Sequence, residues 1–304
     1  MSVLVVGSIA IDEVKTPFEH HKELLGGSAS YASVAASFFA PVRMVGVVGD
    51  DFPEAHRDIY KNRRIDTAGL KTARGETFRW SGEYSWDFNS RKTLSVALNV
   101  FERFEPALPA SYCDTPFILL GNIAPKLQLH VLSQVSKPRF VVADTMDLWI
   151  ETAKSDLMEL LTKVDALCLN DSEARELTKQ TSLIKAGTAI LSYGPKYVVI
   201  KKGEHGALLF SKSEFFTAPA YPLEDIHDPT GAGDCFVGGI MGYLASQTKV
   251  DFNTLKKAII YGSVVASFNV EDFSLKRLER LKLEDVENRY RQIRLMSYFD
   301  DINF

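Results

Sequence analysis

Asp228-Pro229-Thr230-Gly231-Ala232-Gly233-Asp234 runs straight into a segment of small and apolar residues, Cys235 to Ala245. A polar, Pro-containing loop, Pro222 to His227, precedes it. The two glycines around Ala232 allow a sharp turn with its amide N–H groups pointing one way. A helix beginning there adds unpaired N–H groups and the positive end of its dipole. Such a nest suits a phosphoryl group. Asp234 lies at its mouth, where a carboxylate serves as a base or as a helix cap.

The stretch sits in a chain of 304 residues, long enough for a large α/β core. Its 35 basic and 39 acidic side chains give a net charge of −4, with no basic block to suggest a nucleic-acid surface. Cys113, Cys168 and Cys235 are widely spaced and the six histidines show no zinc pattern. That fits a reducing, cytoplasmic setting rather than a disulfide framework. The N-terminus lacks the basic flank of a signal peptide, and no apolar run has the length of a membrane span.

Asp228 to Asp234, continued by Cys235-Phe236 and Gly238-Gly239, resembles the C-terminal signature of the PfkB/ribokinase family of sugar and nucleoside kinases. The resemblance implies that Asp234 is the catalytic base and that the Gly231, Ala232 and Gly233 amides form the anion hole. It also implies ATP and Mg²⁺ as cofactors. Asp228 would help to form a monovalent-cation (K⁺) site, as in several relatives. Earlier in the chain, Gly26-Gly27-Ser28-Ala29-Ser30-Tyr31 resembles the family's N-terminal signature, a Gly-Gly pair opening a helix. Tyr31 departs from the pattern, since many relatives carry Asn there.

Working outward, Val3 to Val6 reads as a buried parallel strand with functional residues expected just past its end. Asp12 follows, a carboxylate among apolar residues that either shapes a turn or accepts two hydrogen bonds from a substrate diol; family members carry an aspartate at the matching place for the second purpose. Asp12, Gly26, Gly27 and Tyr31 are therefore the expected acceptor contacts. Val42 to Val48 is a second strand, and Gly49-Asp50-Asp51, which recurs in the family, is either a site element or a polar turn.

Thr72 to Asn99 is aromatic and strand-prone. Alternation puts Phe78 and Trp80 on one face, and Tyr84, Trp86 and Phe88 on another. We expect a small β-sheet lid built from about residues 12–25 and 72–99. Arg79 and Arg91 are read as surface charges, with an anionic substrate group as the alternative partner. Beyond the lid, strand-like and helix-like segments alternate, which predicts a mostly parallel sheet with helices on both faces. Core and lid, residues 1–304, read as one ribokinase-like domain with a three-layer α/β/α fold.

Asp144 follows a strand and is free to touch substrate, serve the metal waters or cap a helix. Asn170 and Glu173 pair at a helix start, as a cap or as partners of one ligand; the family's matching motif orients Mg²⁺ and its waters. Lys201-Lys202-Gly203-Glu204-His205-Gly206 joins two strands and resembles the nucleotide-side loop, with Lys201, Gly203 and Gly206 as contacts. The helix Asn253 to Asn269, with Gly262, and the loop from Glu271 to Phe273 wall the adenine in this family.

No Gly-x-x-x-x-Gly-Lys-[Ser/Thr] stretch is present, and Gly231-Ala232-Gly233 has Phe236 in place of a third glycine. A P-loop kinase and a dinucleotide-binding dehydrogenase are therefore set aside. The expected activity is ATP-dependent phosphorylation of a primary hydroxyl on a small sugar. Nucleosides are the alternative acceptors, and a sugar-sensing protein without turnover is the alternative class. No nucleic-acid or membrane partner is expected, while a homodimer through the lid is.

Overall fold

The structure is a computed structural model that describes residues 1–300. Strands β1 (Val3–Val6), β2 (Ala10–Lys15) and β3 (His20–Gly26) lead into helix α1 (Ser28–Ala36). Next come β4 (Val42–Gly49), α2 (Glu54–Asn62), β5 (Asp66–Ala73), β6 (Phe78–Tyr84) and β7 (Arg91–Ala97). The alternating part holds β8 (Phe117–Leu120), α3 (Pro125–Gln134), β9 (Phe140–Asp144), α4 (Asp147–Thr152), α5 (Lys154–Leu161), β10 (Ala166–Asn170), α6 (Asp171–Thr178) and α7 (Leu183–Leu191). It closes with β11 (Tyr197–Lys201), β12 (Ala207–Phe210), β13 (Phe215–Ala218), α8 (Ala232–Ser246), α9 (Phe252–Asn269), α10 (Lys276–Arg280) and α11 (Leu283–Met296).

Nine strands form the central sheet in the order β13-β12-β11-β10-β9-β8-β1-β4-β5, antiparallel only at β11–β12 and β12–β13. Strand alternation divides its side chains between two cores. Val3 and Val5 join one, with α1, α8 and α9; Leu4 and Val6 join the other, with α3, α5, α6 and α7. Both cores are buried, and each fully buried Val or Leu contributes about 1.5–3 kcal/mol. The expected three layers follow from this two-sided burial.

The lid is a separate sheet, β3-β2-β6-β7, in which β2 and β6 run parallel and the outer pairs antiparallel. Val14, Leu24, Tyr84 and Phe273 form its small core, with Trp80 and Phe88 against it. The expected face of Tyr84, Trp86 and Phe88 is not present. The strand ends at Tyr84, and Ser85 to Ser90 close a turn through Ser85 N–H to Ser90 O at 2.9 Å and Ser85 Oγ to Asp87 Oδ1 at 2.6 Å. That turn throws Trp86 into solvent, 80% exposed. β5, α4, β13 and α10 are additional to the sequence expectations. β5 is a mostly exposed edge strand without apolar alternation, and α4 is a helix of only six residues.

Candidate active site

Gly231 adopts φ 75°, a left-handed conformation that glycine tolerates best, and is the N-cap residue of α8. The helix has no side-chain cap. Ala232 N–H reaches Pro229 O at 3.2 Å and Cys235 N–H reaches Gly231 O at 2.8 Å, but no backbone carbonyl among the described residues takes the Gly233 N–H. The turn is held from outside. Asp228 Oδ1 accepts from Thr230 N–H at 2.9 Å, and its Oδ2 accepts from Ser274 N–H at 3.3 Å. The Asn269 amide donates to Thr230 O at 2.8 Å, and the Tyr84 hydroxyl meets Thr230 Oγ1 at 3.0 Å. Asp228 is fully buried, and its carboxylate orders the turn.

Asp234 stands in the first turn of α8 and does not cap it. Burial pushes its carboxyl up to about 7, with Asp144 adding to the rise while Lys201 and Arg91 oppose it. A carboxyl there changes charge near neutral pH, as a general base requires.

Lys201 comes from the end of β11 and Asp144 from the end of β9, on either side of β10. Lys201 Nζ lies 3.1 Å from Asp144 Oδ1 and 3.4 Å from Oδ2. A Cβ placed on Gly233 would stand 3.2 Å from the same ammonium. Burial disfavours the lysine's charge most, but Asp144, Cys168, Glu173 and Asp234 together outweigh it and raise the pKa. A fixed positive charge therefore borders the α8 N-terminus.

Asn170 and Glu173 form a reciprocal capping box. Glu173 N–H donates to Asn170 Oδ1 at 2.8 Å, and Asn170 N–H donates to Glu173 Oε2 at 2.6 Å. Burial pushes the Glu173 carboxyl up to about 7, Lys201 opposing and Asp144 assisting. Among the described residues no cluster of three or more His, Cys, Asp or Glu side chains is arranged to hold a metal. The donor set fits an ion carried by phosphates and waters, as Mg²⁺ usually is, better than an all-protein cage. Gly203 borders open space, so the loop after β11 leaves room for a ligand. Gly206 instead packs on Ala218 O, and Gly262 packs on Phe236 O in the α8–α9 contact. Phe273 belongs to the lid core, and Glu271 is held by Arg277 at 2.9 Å and Arg289 at 2.6 Å.

Asp12, near enough to Asp234 to feel its charge, is 4% exposed, and its side chain makes no hydrogen bond among the described residues. Its carboxyl is pushed up to about 8, first by burial and then by Asp228. A buried carboxyl group without a partner calls for one. It lies directly on Gly26, where any Cβ would overlap it, and Gly27 lets Ser8 and Ile9 pass just as close. Tyr31 is buried at 2%, its ring flat on Gly231.

Two features escaped the sequence reading. Gly49-Asp50-Asp51 ties the lid to the end of β4. Asp51 Oδ1 takes Thr77 N–H at 2.7 Å and Thr77 Oγ1 at 2.6 Å, Asp50 takes Gly75 N–H at 2.7 Å, and Asp51 Oδ2 meets Arg79 at 3.2 Å. Arg79 also pairs with Glu23 at 2.8 Å. Arg91 is exposed, as expected, but its guanidinium lies 5.1 Å over the Trp80 ring and its charge is felt at Asp12, Tyr84 and Asp234. No sequence pattern announces either: each depends on which strand pairs with which.

Comparison with known proteins agrees with this fold. Residues 131–278 match the model of the pfkB family carbohydrate kinases. A cytidine kinase of Thermococcus kodakarensis is 30% identical over 250 residues, which is 80% of this chain and 88% of that protein. A Burkholderia thailandensis nucleoside kinase solved with inosine superposes with a TM-score of 0.79 at 18% identity, covering 95% of this chain and 97% of that one. An E. coli ribokinase II chain solved with ATP and Mg²⁺ gives 0.78 at 18% identity, covering 96% and 99%. No helix among the described residues is long and apolar enough to cross a membrane. With a relative this similar along most of both chains, the protein belongs to the pfkB family of carbohydrate kinases, ATP-dependent enzymes whose acceptors are sugars or nucleosides.

Proposed function

We propose that this enzyme transfers the γ-phosphoryl group of ATP to a primary hydroxyl of a small sugar, with Asp234 as the general base. One observation carries the reading: an uncapped α8 N-terminus, flanked by the Lys201 ammonium, holds a carboxylate tuned to about 7 near the unpartnered carboxyl group of Asp12. Asp12 and the Gly26-Gly27 backbone hold the acceptor. Asp234 takes the proton from its hydroxyl as the oxygen attacks phosphorus. The amides of the Gly231-Ala232-Gly233 turn and Lys201 face the charge on the phosphoryl oxygens, where fixed donors act without reorganising. When bound, Mg²⁺ neutralises the phosphates; Asn170 and Glu173 would hold its waters. Gly203 borders the nucleotide. The Asp228 carboxylate is read here as the clamp of the turn. Lid and core work as one unit, tied together at Asp50 and Asp51.

A second reading, a nucleoside as acceptor, is favoured by the cytidine kinase relative. The lid aromatics favour it less, because Trp80 and Tyr84 are engaged in lid packing and Trp86 faces solvent. Phosphate transfer from Mg-ATP to ribose, other small sugars, cytidine and inosine, measured side by side, separates the two readings. Transfer to none of them, at any concentration, would contradict both.

A further inference from the structure

The turn that opens α8 is held by the far end of α9. Asn269 closes that helix and is 0% exposed. Its side-chain amide donates to Thr230 O at 2.8 Å, one residue before Gly231. Its Oδ1 takes the Cys235 thiol at 3.4 Å. A carbonyl oxygen can receive only the NH₂ end of an amide, so both contacts fix the same orientation. The following residue, Val270, accepts the His227 N–H at 2.8 Å and the Asp228 N–H at 3.4 Å on its own carbonyl. Side chain and main chain at the end of α9 thus grip residues 227–230 together.

The family resemblance places a monovalent-cation site at Asp228. Carboxylate and carbonyl oxygens near the negative end of a helix would suit a cation, which is bound through several oxygens. In this chain those oxygens face N–H groups instead. Asp228 Oδ1 accepts from Thr230 N–H and Oδ2 from Ser274 N–H; Thr230 O accepts from Asn269, and Val270 O from two backbone amides. A donor aimed at each oxygen is the reverse of a cation cage, since the amide hydrogens already supply the positive end. The residues present therefore do not fit a monovalent ion.

We propose that Asn269 is a positioning residue that does here what a bound monovalent cation would do: it pins Thr230 O, so that the Gly231-Ala232-Gly233 amides face the phosphoryl group without an ion beside them. This role rests on the reading of that turn as the anion hole. It makes the enzyme indifferent to K⁺. A merely structural asparagine would alter stability and leave both the rate of transfer and its response to salt untouched.

The test uses the full chain, dialysed free of K⁺ and Na⁺, in tetramethylammonium chloride, NaCl or KCl at one ionic strength. Tm is read, and kcat with Mg-ATP and whichever of ribose, cytidine and inosine is phosphorylated best. An ion bound by the folded protein raises Tm with its concentration, so wild-type Tm should coincide in NaCl and KCl, and kcat should agree within about twofold in all three salts. A Tm that climbs with K⁺, or a kcat about tenfold higher in KCl alone, overturns the proposal. Asn269→Asp exchanges the donor for an acceptor and brings a second carboxylate to the turn. Its kcat should fall about tenfold in tetramethylammonium chloride, the scale for losing a good hydrogen bond, with the acceptor KM within about twofold of wild type. KCl should return part of that rate and raise the variant's Tm. Wild-type kcat in a folded Asn269→Asp, or a loss that KCl leaves untouched, counts against the role. If Asn269→Asp does not fold, Asn269→Ser, which keeps a short donor, should retain more kcat than Asn269→Ala; equal rates overturn the role. Failure of the wild type on all three acceptors removes the anion-hole reading, while the Tm comparison still decides whether the turn takes a cation. Wild-type transfer that depends on K⁺ removes this proposal alone.

Discussion

Lys201 Nζ and Asp144 Oδ1 lie 3.1 Å apart at the ends of two strands that flank β10, and the same ammonium borders Gly233. This pair holds a positive charge beside the α8 N-terminus while keeping it compensated. Breaking such a buried pair leaves one charge without a partner, at a cost of about 3–5 kcal/mol. Lys201→Met is expected to lower both Tm and kcat. Adding Asp144→Asn should restore much of the Tm but not the kcat, because the cation facing the phosphates is still missing. Thermal melts and initial rates on wild type and the two variants check this. Recovery of rate together with Tm would make the lysine structural only.

The carboxyl of Asp234, pushed up to about 7, gives the pH dependence a sign. A base works deprotonated, so kcat/KM should rise with pH through a limb near 7 and level off above it. Arg91 opposes the upward shift. Arg91→Gln should therefore move that limb to higher pH by a measurable fraction of a unit and slow the enzyme most at pH 6. A pH–rate profile of both proteins decides, and coincident profiles would show that Arg91 has no electrostatic part in the site.

Asp12 carries a stability penalty that depends on pH. Its carboxyl titrates at about 8 in the folded protein, against 3.8 as its reference value. Between those values the folded state binds the extra proton, so folding loses stability as pH rises from about 4 to about 8. Asp12→Asn removes this penalty. Its Tm should exceed the wild-type value by roughly a few °C at pH 8, where about 1 kcal/mol moves Tm by about 2–4 °C in proteins somewhat smaller than this one, and the gap should narrow at pH 5. The same change should raise the KM for the acceptor. Scanning calorimetry at the two pH values, alongside acceptor titrations, measures both halves.

Glu173 is both half of a capping box and a buried anion. Glu173→Gln keeps an oxygen for the Asn170 N–H and loses the charge. The expected result is a nearly unchanged Tm with a higher Mg²⁺ concentration at half-maximal rate. A fall in Tm with an unmoved Mg²⁺ titration would leave the residue with capping alone.

The parallel core was legible because buried strands announce themselves as short apolar runs: Phe117–Leu120, Phe140–Asp144, Ala166–Asn170 and Tyr197–Lys201 stand where the pattern puts them. The Gly231 turn was equally legible, since few residues tolerate that backbone. β5 was not, because an exposed edge strand has no reason to alternate. The register of the lid was hidden as well. Two-residue periodicity predicts a strand through Phe88, whereas Asp87 and Ser85 close a polar turn first. The capping box and the metal reading of Asn170 and Glu173 coexist in one sequence pattern, and the structure displays the box. Gly262 looked like a ligand contact in sequence and serves a helix crossing in space, because both uses require the same absent side chain.

The proposed role of Asp234, taking the proton from the acceptor hydroxyl, is tested most directly by the single-turnover rate of γ-phosphoryl transfer from Mg-ATP by wild type and Asp234→Asn, with whichever sugar or nucleoside the wild type phosphorylates best. The account predicts a loss of about 10²-fold or more in the variant, the scale of general-base catalysis, with Tm and ATP affinity nearly unchanged. A folded Asp234→Asn enzyme that transfers phosphate at the wild-type rate would contradict it.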